Sequence, residues 1–200
     1  MIKNIAIVIL AAGKSSRMNS IKQLEKIDNK TLLELTLEKV KSVFPENIFC
    51  ILGANADQIK SKTNIKNVEF IKNEKFENGL SSSIISYLNY CKRKQLHFDG
   101  VFILLADQPA IDTSYLEAML HLFLKNKDRI IASNYGNKLG VPVIFPEIHF
   151  SSLLLIEGDK GAKEYINKRK NEILIPKQTT NLFDIDTKEE LQQYKNSILK

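Results

Sequence analysis

The sequence predicts an α/β fold with three layers, in which helices cover both faces of a mostly parallel sheet. Short apolar runs alternate with helix-like segments through the first half of the chain, as at 4–10, 47–52 and 68–71. The run 101–106 is apolar throughout, which is typical of a strand that is covered on both faces. This alternating order predicts parallel strands joined by right-handed crossovers, and therefore a Rossmann-like sheet.

Length and composition are those of an ordinary globular domain. The chain has 200 residues, 44% hydrophobic and 26% charged, and we treat 1–200 as one domain. The first apolar run is too short to span a membrane, so we expect no membrane partner. Cys50 and Cys91 form no disulfide or metal pattern, which indicates a cytoplasmic protein. The net charge of +6 comes mainly from lysines spread along the chain, which argues against nucleic acid as a partner.

Capping residues place further helices. Thr31 is expected to cap a helix that continues to Val43, and Asp112 or Thr113 a helix that continues to about Asn126. The other elements predicted before residue 135 are a helix over 56–62, a helical pattern over 84–91 and a strand over 129–132.

The pattern changes after residue 135. A short apolar run at 141–146 contains proline, so we expect an edge or antiparallel strand there. Gly158 is predicted to end a helix over 153–156, and a new helix is predicted to begin near Asp159. A strand is predicted over 173–175.

The end of the chain has two recognisable patterns. Residues 182–186 alternate between apolar and acidic, so that Asp184 and Asp186 would point the same way along a strand. Thr187 and Glu190 have the spacing of a capping box, which predicts a closing helix from Lys188.

The loop after the first strand has the composition of a phosphate site. It combines one glycine, Gly13, with the cations Lys14, Arg17 and Lys22. Arginine can grip phosphate bidentately and lysine can act as a point charge. A Walker A loop would need glycine at Val8, and a dinucleotide fingerprint would need three spaced glycines, so both are excluded.

Two further segments have open interpretations. Asp107 follows the most apolar strand, where it either opens a turn before proline or holds Mg²⁺ beside a polyphosphate. Ser81 and Ser82 lie where a helix begins, after Gly79; capping of that helix is favoured over contact with a base or phosphate.

Taken together, these motifs resemble the signature of nucleotidyltransferases with a Rossmann-like GT-A fold. Among the MobA-like NTP transferases they are most similar to the molybdenum cofactor cytidylyltransferase group. The resemblance covers nearly the whole chain, through the segments 10–24, 73–83, 104–109, 140–142, 158–162 and 184–187. It implies a three-layer nucleotidyltransferase fold with an antiparallel edge portion.

The resemblance also implies roles for individual residues. Arg17, Lys22 and Asp107 would be catalytic, with Arg17 and Lys22 on the phosphates. Asp107 and, by a weaker match, Asp186 would hold Mg²⁺, with Mn²⁺ as an alternative ion. The implied nucleotide-binding residues are Leu10, Ala11, Ala12, Gly13, Arg17, Lys22, Gly79, Ser81 and Ser82.

The implied reaction transfers CMP from CTP to a phosphate-bearing acceptor, molybdopterin in the first instance, and releases pyrophosphate. The form Ala11-Ala12-Gly13 resembles the cytidylyl rather than the guanylyl branch, and a transient contact with a molybdoenzyme chaperone or target is also implied. Two positions depart from the family pattern: Asn19 stands where glycine is usual and Val141 where histidine is common. The alternatives are another small-phosphate or sugar-phosphate nucleotidylyltransferase, using CTP or another NTP, and a non-catalytic nucleotide-binding protein of the same fold.

Overall fold

The computed structural model describes residues 4–158 and 161–198 and confirms the predicted α/β fold. The strands are β1 (Ile5–Ala11), β2 (Lys26–Ile27), β3 (Lys30–Thr31), β4 (Ile48–Leu52), β5 (Glu69–Lys72), β6 (Gly100–Leu105), β7 (Ile130–Asn134), β8 (Leu139–Pro146) and β9 (Ile173–Leu174). The helices are α1 (Leu32–Val43), α2 (Ala56–Lys62), α3 (Leu80–Lys94), α4 (Thr113–Lys125), α5 (Phe150–Leu153), α6 (Gly161–Asn167) and α7 (Lys188–Ile198).

The main sheet has seven strands in the order β5-β4-β1-β6-β8-β7-β9, while β2 and β3 form a separate two-stranded ribbon. Strand β1 pairs in parallel with β4 on one side and β6 on the other. All of β1 is buried, which explains its uninterrupted apolar run. Because Leu10 lies opposite Leu105, the segments after β1 and β6 meet at the same edge of the sheet.

Two apolar layers enclose the sheet, one on each face. The side chains of β1 alternate between them, with Ile7 and Ile9 in one layer and Ala6 and Val8 in the other. Helices α1, α2 and α4 contribute to the first layer, and α3, α5 and α6 to the second. These two layers and the sheet confirm the three-layer prediction.

The helix caps predicted at Thr31 and Thr187 are confirmed, whereas Asp112 occupies the N-cap position of α4 without a side-chain cap hydrogen bond. Thr31 accepts a hydrogen bond from the backbone of Glu34, whose side chain bonds back to the Thr31 backbone. Glu190 likewise accepts from the backbone of Thr187 and donates its own N–H to the Thr187 hydroxyl. Both are capping boxes, which satisfy N–H groups that lack partners within the helix.

Strand β8 is antiparallel, one of the two alternatives expected for the proline-containing run. It lies between β6 and β7 and runs opposite to both. Its ladder with β7 shifts register between Ala132 and Ser133, where the partner jumps from Val143 to Gly140 and leaves out Pro142. A bulge tolerates proline because the missing N–H is not needed there.

Two expectations are corrected, and one lies partly outside the described residues. The predicted helix over 153–156 is wrong, since α5 ends at Leu153 and the apolar run is divided between buried Ile156 and the exposed Leu155. Residues 182–186 form no strand; Ile185 instead packs in a small apolar cluster with Met18 and Leu191. Asp159 is not described, and the next helix is observed from 161. Within the described residues, no helix combines the length and apolar character needed to cross a membrane.

Candidate functional site

The phosphate loop, residues 12–21, is organised by a side chain that the sequence interpretation left without a role. The buried Gln23 donates from Nε2 to the carbonyl oxygens of Ala11 at 2.9 Å and Gly13 at 3.3 Å. Ser15 donates to Gln23 Oε1 at 3.3 Å and accepts from the Lys22 N–H at 3.2 Å. Gln23 therefore fixes the loop from beneath, since its amide holds the carbonyl groups of Ala11 and Gly13 and the hydroxyl of Ser15.

The glycine and asparagine of the loop have different reasons to be there. A Cβ on Gly13 would meet no atom within 4 Å, so the protein's own packing does not require glycine, and the surface is open to a ligand. Asn19 has a φ of +54°, in the left-handed region that favours glycine and that asparagine tolerates best among other residues. The departure at Asn19 therefore preserves the turn.

Lys22 is the centre of the site. Its Nζ donates to Asp107 Oδ2 at 2.6 Å and to Asp186 Oδ1 at 2.8 Å, and its side chain is only 12% exposed. Burial alone would lower the pKa of Lys22, but the charges and hydrogen bonds of the two carboxylates outweigh burial and raise it. The lysine is thus held charged between two acidic groups from distant parts of the chain.

Arg17 lies at the open side of this cluster. Its Nη1 is 2.8 Å from Asp186 Oδ2, and its side chain is 72% exposed. Burial raises the pKa of Asp186, but the hydrogen bonds and charges of Lys22 and Arg17 together lower it. Arg17 is the more accessible cation, placed where an incoming anion would meet it first.

Asp107 follows β6 and is tied to the acidic segment through the backbone. Its carbonyl oxygen accepts from the Ile185 N–H at 2.9 Å, which holds Asp186 next to it. Its Oδ1 is buried and has no hydrogen-bond partner within the described chain. Such an oxygen is a ready ligand for a divalent cation.

Asp184 is not one of the two carboxylates that Lys22 contacts, and it belongs to a second hydrogen-bond network. Gln108 Nε2 donates to Asp184 Oδ1 at 2.7 Å and to the Tyr135 hydroxyl at 2.8 Å. Desolvation by the surrounding protein and repulsion from Asp107 raise the pKa of Asp184 to about 6, against the hydrogen bond from Gln108. The structure thus brings Asp186, rather than Asp184, to Lys22.

The segment that starts α3 contains the other predicted nucleotide-binding residues. Gly79 occupies the N-cap position with a φ of +85°, and no side chain caps the helix there, so the predicted capping by serine is wrong. Ser82 instead donates to the Gly79 carbonyl at 2.7 Å and accepts from Asn73 Nδ2 at 2.8 Å. Ser81 Oγ is buried with no partner among the residues that the structure covers.

This segment reaches the phosphate loop through the residues just before Gly79. Lys14 Nζ is 2.6 Å from Glu77 Oε1 and 5.7 Å from the centre of the Phe76 ring. Leu10 and Ala11 are themselves buried at the end of β1, so only Ala12 and Gly13 of the Leu10–Gly13 stretch lie at the accessible surface. The structure therefore brings together the phosphate loop, Asp107, Asp186 and the start of α3.

A central strand leads into a cation-bearing phosphate loop, one carboxylate follows the neighbouring strand β6, and a second lies beside it in an irregular segment. This arrangement defines a nucleotide-handling α/β protein. Comparison with known proteins narrows this class. The chain belongs to the MobA-like NTP transferase domain family, whose model matches residues 7–173.

A curated relative is similar over part of the chain. The bifunctional protein GlmU of Francisella philomiragia subsp. philomiragia is 34% identical over 119 residues, which are 58% of this chain and 25% of that protein. The chain thus spans about a quarter of the length of this curated relative.

Two solved structures share the fold. The Rv0371c homologue from Mycobacterium sp. strain JC1 is 24% identical with a TM-score of 0.82, covering 98% of this chain and 96% of that chain. Rv0371c from Mycobacterium tuberculosis H37Rv in complex with manganese is 21% identical with a TM-score of 0.73, covering 98% and 100%.

Proposed function

We propose that the protein transfers CMP from CTP to the phosphate of molybdopterin and releases pyrophosphate, with Mg²⁺ as the metal. The observation that carries this proposal is the contact of Lys22 with both Asp107 and Asp186, at hydrogen-bond distance beside the phosphate loop. Cations next to paired carboxylates are what a triphosphate and its metal ion need together.

The residues fit a divalent cation that is shared with a nucleotide. Among residues 4–158 and 161–198, no group of three or more His, Cys, Asp or Glu side chains could hold a metal ion. The protein would therefore supply two carboxylates, those of Asp107 and Asp186. Mg²⁺ usually keeps several waters and binds through one or two carboxylates plus substrate phosphates. The unpartnered Asp107 Oδ1 supports this arrangement, and the manganese complex of Rv0371c is consistent with a divalent ion in a similar fold. When bound, the ion would neutralise negative charge on the phosphates.

Arg17 of the loop and Lys22 directly after it would position the triphosphate. Arg17 is exposed and can form two hydrogen bonds to one phosphate, while Lys22 offers a single buried charge. A triphosphate seated on the loop competes with the two carboxylates for Lys22. The lysine would then stabilise charge as the acceptor oxygen attacks the α-phosphorus in line with the departing pyrophosphate.

No general base is needed for this reaction because the acceptor phosphate already carries an oxyanion. The proposed site residues are Arg17, Lys22, Asp107 and Asp186, none of which is a histidine or a cysteine. Positioning and electrostatic stabilisation supply most of the acceleration in phosphoryl transfer generally.

The base preference rests on the loop and the start of α3. The Ala11-Ala12-Gly13 form supports CTP by resemblance to the cytidylyl branch. Gly79, Ser81 and Ser82 lie beyond Glu77, which contacts Lys14 of the loop, so a base and ribose extending from the phosphates would reach them. Ser81 Oγ, which is buried and unpartnered in the described chain, is the polar group best suited to contact the base or ribose.

The experiment that tests the proposal is a pyrophosphate-release screen. Each of the four NTPs is paired with molybdopterin and with a panel of sugar and alcohol phosphates, and Asp107→Ala is the control. Release with CTP and molybdopterin, lost in Asp107→Ala, supports the proposal. Release only with a sugar phosphate or another NTP contradicts the substrate assignment, and nucleotide binding without any release supports the non-catalytic alternative.

A further inference from the structure

The segment that follows β6, residues 106–111, is held by side chains of helices α1 and α7. Asp107, a proposed metal ligand, is its second residue. Directly before it, the Ala106 carbonyl oxygen accepts from the buried Thr36 hydroxyl of α1 at 3.0 Å, the nearer of the two acceptors of that hydroxyl. Thr36 and Lys39 are three positions apart and therefore share one face of α1. This face of α1 is turned toward the Asp107 segment.

Lys39 uses its charge on the main chain of this segment. Its Nζ donates to the carbonyl oxygens of Pro109 and Ile111, the second at 2.7 Å. The side chain is half-buried, and burial lowers the pKa of Lys39 against the charge of Asp112. Hydrogen bonds from a charged donor are about twice as strong as neutral ones. Lys39 therefore ties together two points of the turn that follows Asp107.

Helix α7 reaches the main chain beside both proposed metal ligands. Glu190 Oε2 accepts from the Asp186 N–H at 2.8 Å. One helix turn later, the Tyr194 hydroxyl donates to the Pro109 carbonyl oxygen at 3.2 Å. Residues four apart share a face of a helix, so one face of α7 holds Asp186 and the turn after Asp107 at the same time.

The Pro109 carbonyl is the point where the two helices meet. A carbonyl oxygen has two lone pairs, and here Lys39 and Tyr194 each supply a donor. A cavity of about 430 Å³ borders Lys39, Pro109 and Tyr194, and it is large enough to admit water. Water could therefore replace a donor that is removed by substitution, at little cost to stability, but it would not hold the turn in one position.

We propose that Lys39 and Tyr194 are positioning residues, which hold the turn after Asp107 so that its carboxylate and that of Asp186 meet a divalent cation in a fixed geometry. Groups at such a site must be held within about 0.5 Å of the working arrangement. Both residues would act through main-chain carbonyl oxygens, and neither would touch the ion. This inference rests on the metal site of the proposed nucleotidyl transfer.

Binding of Mn²⁺ to the whole protein tests this role. The free ion is measured by electron paramagnetic resonance, first without nucleotide and then with CTP. Groups that hold a metal ligand from behind typically contribute about 10–100-fold to metal affinity. Because Lys39 and Tyr194 hold the main chain rather than the carboxylate, Lys39→Met and Tyr194→Phe should each raise the dissociation constant of Mn²⁺ about three- to tenfold.

The double variant provides a second criterion. Each single variant leaves the Pro109 carbonyl with one donor, whereas Lys39→Met combined with Tyr194→Phe leaves it with none. The double variant should therefore weaken Mn²⁺ binding by more than the product of the two single effects.

Two control variants remove the same kinds of bond elsewhere. Lys41→Met removes the bond from another α1 lysine to a main-chain carbonyl, that of Lys66, and Tyr90→Phe removes a hydroxyl that is bonded to Glu69. Both should leave the dissociation constant of Mn²⁺ unchanged. Thermal unfolding without metal identifies any variant that fails to fold, and Tyr194→Phe, which removes a single oxygen atom, decides the question if Lys39→Met does not fold.

The outcomes separate the positioning role from the metal site on which it rests. A lower unfolding temperature with unchanged Mn²⁺ affinity in Lys39→Met and Tyr194→Phe, or equal weakening in the two control variants, overturns the positioning role. Loss of Mn²⁺ binding in Asp107→Asn would still support the metal site in that case. Equal binding to the wild type and to Asp107→Asn, or no binding to the wild type with or without CTP, refutes the metal site and the positioning role with it.

Discussion

Replacing Lys22 by methionine tests the cluster at the centre of the site. The change keeps much of the aliphatic length but removes the charge between Asp107 and Asp186, whose side chains are 22% and 30% exposed. Breaking a fully buried ion pair costs about 3–5 kcal/mol because a charge is left without a partner. Partial exposure of the carboxylates lets water screen them, so we expect Lys22→Met to lower the free energy of unfolding by about 1–3 kcal/mol.

The assay is urea unfolding in the absence of divalent ions, followed by far-UV circular dichroism because the chain has no tryptophan. Lys30→Met is the matched control, since it breaks an ion pair with Glu38 in which both side chains are about half exposed and should change stability little. Added Mn²⁺ should then stabilise Lys22→Met more than the wild type, because the ion no longer competes with an ammonium group for Asp107 and Asp186.

The reasoning is refuted if Lys22→Met unfolds at the same urea concentration as Lys30→Met. The placement of a metal ion at this cluster is refuted if Mn²⁺ stabilises the wild type and Lys22→Met to the same extent. If Lys22→Met is less stable than Lys30→Met but gains no extra stability from Mn²⁺, the result supports the ion-pair cluster and contradicts metal binding there.

Three more predictions concern single side chains. Thr31→Ala removes one half of a capping box and should lower the free energy of unfolding by about 1 kcal/mol in urea titration, whereas an unchanged midpoint would contradict the capping role. Gln23→Leu removes the hydrogen bonds that hold the phosphate loop, and its main effect should be a higher KM for the nucleotide, with a smaller effect on the thermal unfolding temperature. A lower unfolding temperature with an unchanged KM would show that Gln23 serves only the core. Burial lowers the pKa of His149 below 6.5. As the pH falls below 6.5, the unfolded chain therefore binds a proton at this histidine more readily than the folded chain does, which favours unfolding. The wild type should therefore lose more stability than His149→Phe between about pH 7.5 and pH 5.5, and parallel pH profiles would exclude this source of acid sensitivity.

The sequence was most informative where local rules decide structure. The apolar run of β1 is long and buried on both faces, so period and composition alone predicted its place in a parallel sheet. The cap at Thr31 and the capping box at Thr187 are fixed by spacing within one helix turn, and both were predicted correctly. Asp107 could be singled out because a carboxylate directly after a buried strand reaches the ligand-binding edge of a sheet.

The rest depends on contacts that local patterns do not encode. Lys22 and Asp186 are 164 residues apart, and Asp186 lies in an irregular segment with no periodicity to reveal which carboxylate faces the lysine. Gln23 was visible in the loop motif, but only the folded loop shows which carbonyl groups its amide reaches. The serine prediction failed because the N-cap of α3 has a φ of +85°, a backbone conformation that selects Gly79 over a capping serine.

The hydrogen bond from the Ile185 N–H to the Asp107 carbonyl oxygen joins the two acidic positions through the main chain. Their separation is therefore a property of the backbone and does not depend on which side chains these two positions carry. Exchanging Asp107 or Asp186 for asparagine or glutamate would alter ligand charge or reach while the frame stays in place. The proposed metal site is therefore held in place by the main chain, and we expect single side-chain substitutions to change its selectivity for an ion without disturbing the fold.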